Sequence, residues 1–193
     1  GQSSDPNAAS YDPDGLALQP GLCELVEPGD PLAGSGDRNV GKIKLRVWRG
    51  PLYVDDPTRD VAGVDWILAE DWWPYQRPSF VTPPFAGYVS GHSTYSRAAA
   101  EVLATLTGSE FFPGGLAEYR ASANNYLVFE RGPSTDVTLQ WATFVDAADQ
   151  SGLSRIFGGI HPPMDDVPGR VMGAEVARLA VERANTYFAG SVP

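Results

Sequence analysis

The chain has only two histidines, and each lies in a short polar segment suited to binding an anion. His92 follows Ser90 and Gly91 at the beginning of a segment with helical periodicity. A helix N-terminus offers free backbone N–H groups and the positive end of the helix dipole, so Ser90 and Gly91 would seat an oxyanion there. His92, at the edge of that seat, is placed to transfer a proton. The alternative is a serine–glycine helix cap with an incidental histidine.

The second histidine, His161, lies in a segment that also carries Arg155 and Asp165. The glycine pair at 158–159 predicts a helix end, so that Arg155 and His161 can face one pocket. Asp165 is spaced to hold one imidazole nitrogen of His161, which leaves the other nitrogen free as a nucleophile or ligand. The planar guanidinium of Arg155 suits bidentate contact with an oxyanion. Surface ion pairing by Arg155 and helix capping by Asp165 are the alternatives.

A third polar motif, Arg77-Pro78, precedes both histidines. The order Arg-Pro, Ser-Gly-His and Ser-Arg-x5-His-x3-Asp is the signature of a known superfamily. On these motifs the chain resembles the vanadium-dependent haloperoxidases and their relatives, the type-2 phosphatidic acid phosphatases. The residues at 83–93 and 154–161 are closer to the soluble haloperoxidases. The resemblance covers roughly residues 60–173, a little over half of the chain.

The resemblance implies a helical bundle around an oxyanion pocket and gives each of these residues a role. In the haloperoxidases, the position of His161 binds vanadium and the position of His92 is the acid–base group. The oxygens of vanadate are held by the positions that correspond to Arg77, Ser90, Gly91 and Arg155. The implied cofactor is vanadate, or phosphate in the same pocket, with no nucleotide cofactor. The implied substrates are a halide and peroxide.

The related phosphatases would use the same pocket differently. There the position of His161 attacks phosphorus to form a phosphohistidine, the position of His92 protonates the leaving group, and Asp165 orients the nucleophile. Phosphate and vanadate are both tetrahedral oxyanions, so one pocket can accept either. A haloperoxidase-like enzyme is therefore the first hypothesis, and a phosphatase acting on a phosphoester is the second.

One position departs from the family pattern. The family places a lysine seven residues before the arginine of the Arg-Pro motif, and here that residue is Glu70. Lys42 and Lys44 are the only lysines of the chain. A replacement cation would have to come from one of them, from an arginine such as Arg97 or Arg120, from another chain, or from nowhere. A non-catalytic subunit with a decayed site is therefore the third hypothesis.

Apolar spacing predicts the elements that position these residues. Helices are expected at 61–73, 92–107, 114–125, 137–151 and about 166–188, the last capped by Asp165 or Asp166. Alternating residues at 42–47 predict a strand, and residues 52–54 are expected to return as its partner in a short β-hairpin near 42–54. The predicted fold class is mainly α: a helical bundle of the vanadium haloperoxidase and acid phosphatase type, incomplete in this chain.

Two segments are expected along the chain. Residues 1–41 are predicted to be irregular, because turn signals follow one another without a helical period. Residues 42–193 are predicted to be the C-terminal part of the bundle, because the family carries helices before the Arg-Pro motif that this sequence does not show. We expect a second polypeptide or an N-terminal fragment to complete the bundle. A stable, well-folded monomer of 20.7 kDa would contradict that expectation.

Composition argues against several classes of function. The formal net charge of −10 argues against nucleic acid as the main partner. No apolar run reaches the roughly 18 residues of a membrane span. The single cysteine, Cys23, excludes an internal disulfide and a cysteine-based zinc site. The first residues lack a signal-peptide pattern, and a secreted or periplasmic location is favoured only by the family resemblance.

Overall fold

A computed structural model of the chain describes residues 2–8, 10–79 and 87–191. The described residues contain three α-helices and five strands, and the strands form two small antiparallel sheets. Contacts divide the chain into two compact units. Unit 1 comprises Gly1–Phe80 and Asn124–Gly132, and unit 2 comprises Val81–Ala123 and Pro133–Pro193. The predicted boundary between residues 41 and 42 stays a prediction.

Unit 1 is built on a three-stranded antiparallel sheet in the order β1 (Cys23–Leu25), β2 (Ile43–Trp48) and β3 (Val64–Leu68). The predicted strand at 42–47 is thus present as β2, but the predicted hairpin is wrong. Pro51–Tyr53 forms a 3-10 turn, and β2 pairs with β1 and β3 instead. The physical reason is Pro51, which has no N–H to donate to a strand ladder.

The predicted helix at 61–73 is also wrong. Its centre is strand β3, and a 3-10 turn follows at Ala69–Asp71. Val64, Trp66 and Ile67 belong to the β-branched and aromatic types that fit a pleated surface. Ile67 is 4% exposed and lies opposite Leu45 of β2. Pairing with β2 therefore outweighs a helical spacing of apolar residues in this segment.

A buried carboxylate fixes the segment that precedes Arg77. Glu130, which is 5% exposed, accepts hydrogen bonds from the indole N–H of Trp48 (3.0 Å), the backbone N–H of Ala62 (3.0 Å) and the hydroxyl of Tyr75 (2.7 Å). Burial, together with the hydrogen bond to Glu130, raises the pKa of Tyr75. A buried carboxylate needs such donors, and they attach Asn124–Gly132 to the sheet of unit 1.

Unit 2 contains α1 (Gly91–Thr107), α2 (Phe144–Phe157), α3 (Pro163–Phe188) and a two-stranded sheet of β4 (Ala117–Ala121) and β5 (Val137–Trp141). The predicted helix at 92–107 is confirmed as α1, and it ends at Gly108 with a left-handed φ of 68°. None of these helices, nor any other helix in the described ranges, is long and apolar enough to cross a membrane.

Two of the other helix predictions in unit 2 need correction. The segment at 114–125 contains strand β4, and the first part of 137–151 is strand β5. Helix α2 begins only after Thr143, whose side chain accepts from the N–H of Asp146 while Asp146 accepts from the N–H of Thr143. This capping box fixes the helix start. The described fold therefore combines α-helices with small antiparallel sheets, and the predicted class of mainly α needs correction.

Helix α3 begins three residues earlier than predicted, and neither aspartate caps it. Pro162 occupies the cap position and Pro163 the first turn, where a missing N–H costs nothing. Asp165 and Asp166 consequently lie inside the helix, where they are 7% and 3% exposed. Both carboxylates are thereby available for contacts with other elements.

Small residues let α3 approach α1 closely. Gly169, Gly173 and Ala177 recur at a spacing of four and are buried. A Cβ at Gly169 would lie 3.0 Å from the carbonyl oxygen of Ser90, and one at Gly173 would overlap the carbonyl oxygen of Thr94. This close approach sets the start of α1 against the first turns of α3.

We predict that Gly173→Ala lowers the free energy of unfolding by about 1–3 kcal/mol, because the added methyl overpacks the α1–α3 contact. Gly91→Ala is the matched control, since a Cβ there would contact no other element in the described part of the chain within 4 Å. That variant should keep its stability or gain about 0.4–1 kcal/mol. Urea unfolding of both variants measures the difference. Equal effects would contradict the packing described for Gly173.

Candidate oxyanion-binding site

The beginning of α1 presents a buried serine and an open glycine. Ser90 is the N-cap, is fully buried, and accepts a 3.4 Å hydrogen bond from the N–H of Ser93. Its own N–H donates to the carbonyl oxygen of Asp165 at 3.0 Å. Gly91 is the first helical residue, and a Cβ added there would meet no other element of the described residues within 4 Å. The free N–H groups of this helix start can therefore be reached by an anion.

His161 is oriented by Asp165. The Nδ1 atom of His161 lies 2.9 Å from Oδ2 of Asp165, and the two side chains are 12% and 10% exposed. The spacing of four residues brings them together because Asp165 lies in the first turn of α3 while His161 precedes that helix by two residues. The carboxylate engages Nδ1, which leaves Nε2 as the free ligand or nucleophile.

Arg155 lies in the last turn of α2 and has an unsatisfied donor. Its Nε atom is buried, with no hydrogen-bond partner in the described part of the chain. Burial also lowers the pKa of the guanidinium. Helix α2 ends at Gly158, and the chain then turns back so that the N–H groups of Ile160 and His161 both donate to the carbonyl oxygen of Arg155, at 3.1 and 3.4 Å. The turn keeps Arg155 next to His161.

His92 is exposed, and its electrostatic neighbours are the other candidate residues. Partial desolvation of the imidazole lowers the pKa of His92, and the electrostatic effects of Arg155 and His161 add to it. The start of α1 meets the start of α3 through the hydrogen bond from the Ser90 N–H to the carbonyl oxygen of Asp165. The turn after α2 joins the end of that helix to His161.

Arg77 belongs to unit 1 and is exposed, whereas the other candidate residues belong to unit 2. Residues 83–86, the first part of the segment at 83–93 that resembles the haloperoxidases, lie outside the described residues.

The carboxylate of Glu70, at the position where the family has lysine, is neutralised. Its Oε1 accepts a 2.8 Å hydrogen bond from Nζ of Lys42, and this contact lowers the pKa of Glu70. The Glu70 side chain is 51% exposed. The other cations considered as replacements are paired as well: Lys44 with Asp30, Arg97 with Glu101 and Arg120 with Asp136.

Sequence reasoning missed a buried polar network behind the site. Asp166 accepts hydrogen bonds from Oγ of Ser93 (2.6 Å) and from Nε and a terminal nitrogen of Arg170 (3.0 and 2.7 Å). Arg170 also pairs with Asp149 of α2 at 2.9 Å. Burial alone would raise the pKa of Asp166, but the hydrogen bonds from Arg170 and Ser93 outweigh it and lower the pKa. Of these contacts, only the Asp166–Arg170 ion pair could have been predicted from local spacing, because residues four apart on a helix are neighbours.

No cluster of three or more histidine, cysteine or carboxylate side chains arranged to bind a metal ion occurs within residues 2–8, 10–79 and 87–191. The imidazole of His161, the buried Nε of Arg155 and the N–H groups at the start of α1 are groups that suit an anion. A search for known relatives identifies the family. The model of the VCPO second helical-bundle domain matches residues 38–190. The chain belongs to this family.

Solved structures agree with that assignment at the level of the fold. An apo-type bacterial vanadium-dependent chloroperoxidase is 22% identical, with a TM-score of 0.63 over 77% of this chain and 29% of that one. The holo-type bacterial enzyme is also 22% identical, with a TM-score of 0.58 over 72% of this chain and 26% of that one. The chain thus spans less than a third of the length of either structure. No curated protein matches it.

The lowered pKa of His92 gives this VCPO-family chain a predicted pH dependence of stability. An unfolded histidine has a pKa of about 6.5, so the unfolded state takes up the proton first as the pH falls. The stability linked to His92 is complete above about pH 6.5 and is lost as the pH falls towards the lower folded-state pKa. When the pH is lowered from about 7.5 to 5.5, the free energy of unfolding in urea should therefore fall more for the wild type than for His92→Gln. Equal losses would contradict the assigned environment of His92.

Proposed function

We propose that this chain is a vanadium haloperoxidase-like protein that holds vanadate through Nε2 of His161. The observation that carries the proposal is the buried Nε of Arg155, which has no hydrogen-bond partner among the described residues, in the segment that leads to the His161–Asp165 pair. An unpaired buried donor is costly, and an oxyanion would satisfy it. Family membership supports the same ligand class.

The residues at the start of α1 supply the rest of the proposed cradle. The Ser90 hydroxyl and the N–H of Gly91 would donate to vanadate oxygens, favoured by the helix dipole. Asp165 would keep the His161 ring oriented and its Nε2 unprotonated. We place Arg77 in the cradle by the family motif alone.

When bound, vanadate would supply an electrophilic centre at which peroxide is activated to oxidise a halide. The role of His92 in this proposal is to hold and release the proton of the oxygen nucleophile or leaving group. Its lowered pKa favours the neutral imidazole near neutral pH, which suits a proton acceptor. The exposed position of the ring gives it access to water.

We also propose that further helices of the haloperoxidase fold cover α3. The face opposite its buried glycines carries large apolar side chains that are 48–70% exposed: Met164, Val167, Val171, Met172 and Leu179. A helix that is apolar on both faces is typical of the interior of a bundle. Size-exclusion chromatography with light scattering tests this directly. Self-association, or capture of the remaining haloperoxidase segment when that is supplied, is the expected result, and a well-folded 20.7 kDa monomer that takes up no such segment would contradict it.

The functional test is bromination of an activated phenol by the purified chain, with peroxide and bromide, in the presence and absence of orthovanadate. Turnover that depends on orthovanadate is the expected result. Hydrolysis of a phosphoester that orthovanadate inhibits would favour the phosphatase instead. If neither reaction occurs with the full bundle assembled, the non-catalytic hypothesis is favoured.

A further inference from the structure

Two consecutive residues of α3 bind the beginning of α1. The carbonyl oxygen of Asp165 accepts the N–H of Ser90 at 3.0 Å, and the carboxylate of Asp166 accepts the hydroxyl of Ser93 at 2.6 Å. His92 lies between the two serines. On the other side of the contact, the carboxylate of Asp165 engages His161. Asp165 thus connects the turn that carries His92 to His161, through its hydrogen bonds with Ser90 and with His161.

The carboxylate of Asp166 is itself held by Arg170 of α3. Arg170 donates to Asp166 through two nitrogens, and it pairs with the carboxylate and the backbone carbonyl of Asp149 of α2 at 2.9 and 3.2 Å. The Asp166 side chain is 4% exposed. Asp166 and Arg170 together therefore connect α3 to α1 and to α2.

A buried glycine makes room for this network. A Cβ at Gly152 of α2 would overlap Oδ1 of Asp166 and would lie 3.0 Å from Oγ of Ser93. The missing side chain of Gly152 thus leaves space beside α2 for the Ser93–Asp166 hydrogen bond. A side chain there would displace the carboxylate from the serine.

We propose that Ser93 and Asp166 are positioning residues that set the separation between His92 and His161. This inference rests on the proposed function. Neither residue contacts the anion in this account: Ser93 holds the first turn of α1, and Asp166 holds the first turn of α3. Removing their hydrogen bond would loosen the cradle and would leave the Ser90–Asp165 backbone hydrogen bond and the close packing at Gly169 and Gly173 to hold the alignment.

Ser93→Ala tests the proposal without changing charge, and Thr105→Val is its matched control. Thr105 donates a hydroxyl hydrogen bond of similar length, 2.8 Å, but to the carbonyl of Glu101 within α1. We expect Ser93→Ala to weaken orthovanadate binding about 10- to 100-fold, as is usual when the support of a ligand is removed. Thr105→Val should bind orthovanadate as the wild type does. Calorimetry measures both dissociation constants.

Hydrogen exchange of the Ser90 amide gives a readout that does not depend on the anion. Ser93→Ala should accelerate exchange at Ser90 at least about tenfold relative to amides in the middle of α1, because only the start of the helix is released. Asp166→Asn, which loses the pairing with Arg170, should have the same local effect. A uniform acceleration along α1 would indicate general destabilisation and would overturn the inference.

The two proposals fail in different ways. If the wild type binds no orthovanadate at millimolar concentration, the proposed function fails, and the exchange of the Ser90 amide still tests the positioning role. If the wild type binds orthovanadate and Ser93→Ala binds it equally well, the positioning role is overturned and the proposed function stands.

Discussion

Replacing His161 with alanine is expected to abolish orthovanadate binding and to lower halide oxidation by at least about 10³-fold. The lower bound follows from the loss of a single oxyanion donor, which already costs about 10²–10³ in rate, whereas His161 is proposed to be the only side chain bonded to vanadium. Vanadium-51 NMR of the protein with orthovanadate measures the binding, and bromination measures the rate.

His92→Ala is the matched control for that change, because it removes the only other imidazole of the chain. It should retain orthovanadate binding within a few-fold and lose about 10²–10⁴ in rate, as expected for a general acid–base group. Binding of orthovanadate by His161→Ala with the affinity of the wild type would refute the assignment of His161. Loss of binding in both variants would indicate that the imidazoles act together in holding the anion.

Replacing Arg155 with methionine is expected to change stability and anion binding in opposite directions. The buried Nε of Arg155 has no hydrogen-bond partner within residues 2–8, 10–79 and 87–191, and burial lowers the pKa of the guanidinium. Removing an unsatisfied donor while keeping a long side chain should therefore raise the free energy of unfolding by about 1 kcal/mol. Orthovanadate affinity should fall by about 1.5–3 kcal/mol, the usual value for a hydrogen bond to a charged group.

Thermal unfolding with and without orthovanadate measures both effects in one experiment. The midpoint temperature of unfolding of the wild type should rise when orthovanadate is added. Arg155→Met should have a higher midpoint temperature without orthovanadate and should show a smaller rise with it. Arg97→Met is the control, because Arg97 has a carboxylate partner in Glu101 at 2.7 Å and should lose a little stability rather than gain it. A destabilised Arg155→Met that still responds to orthovanadate would contradict the role given to Arg155.

The site motifs were easier to predict from sequence than the elements around them. The order of Arg155, His161 and Asp165 across the glycine pair predicted a helix end with an imidazole held by a carboxylate, and the structure has a 2.9 Å contact between those groups. Such contacts lie within a few residues of each other, so local spacing determines them. Their roles in catalysis stay predictions.

The strands of unit 2 were missed for a physical reason. Val137, Trp141, Phe144 and Val145 are spaced as one helical face, but they belong to strand β5 and to the start of α2. A short strand followed directly by a helix imitates a longer helix in its apolar spacing. The capping box at Thr143 marked the true start and was the signal that could have separated the two elements.

The Asp166 network could not be predicted from sequence because its key contact is distant along the chain. Ser93 and Asp166 are 73 residues apart, and only the packing of α1 against α3 brings them together. The pairing of Lys42 with Glu70 is distant in the same way, since it depends on the register of β2 and β3. Sequence spacing identified Glu70 as the departure from the family but not the lysine that neutralises it.

A crystal structure of the chain grown with orthovanadate tests the central claim most directly, because it locates the anion relative to named atoms. We predict density for vanadate at Nε2 of His161, with its oxygens facing Arg155, Ser90 and the N–H of Gly91. Orthovanadate bound elsewhere, or bound with Nε2 of His161 turned away from it, would contradict the account.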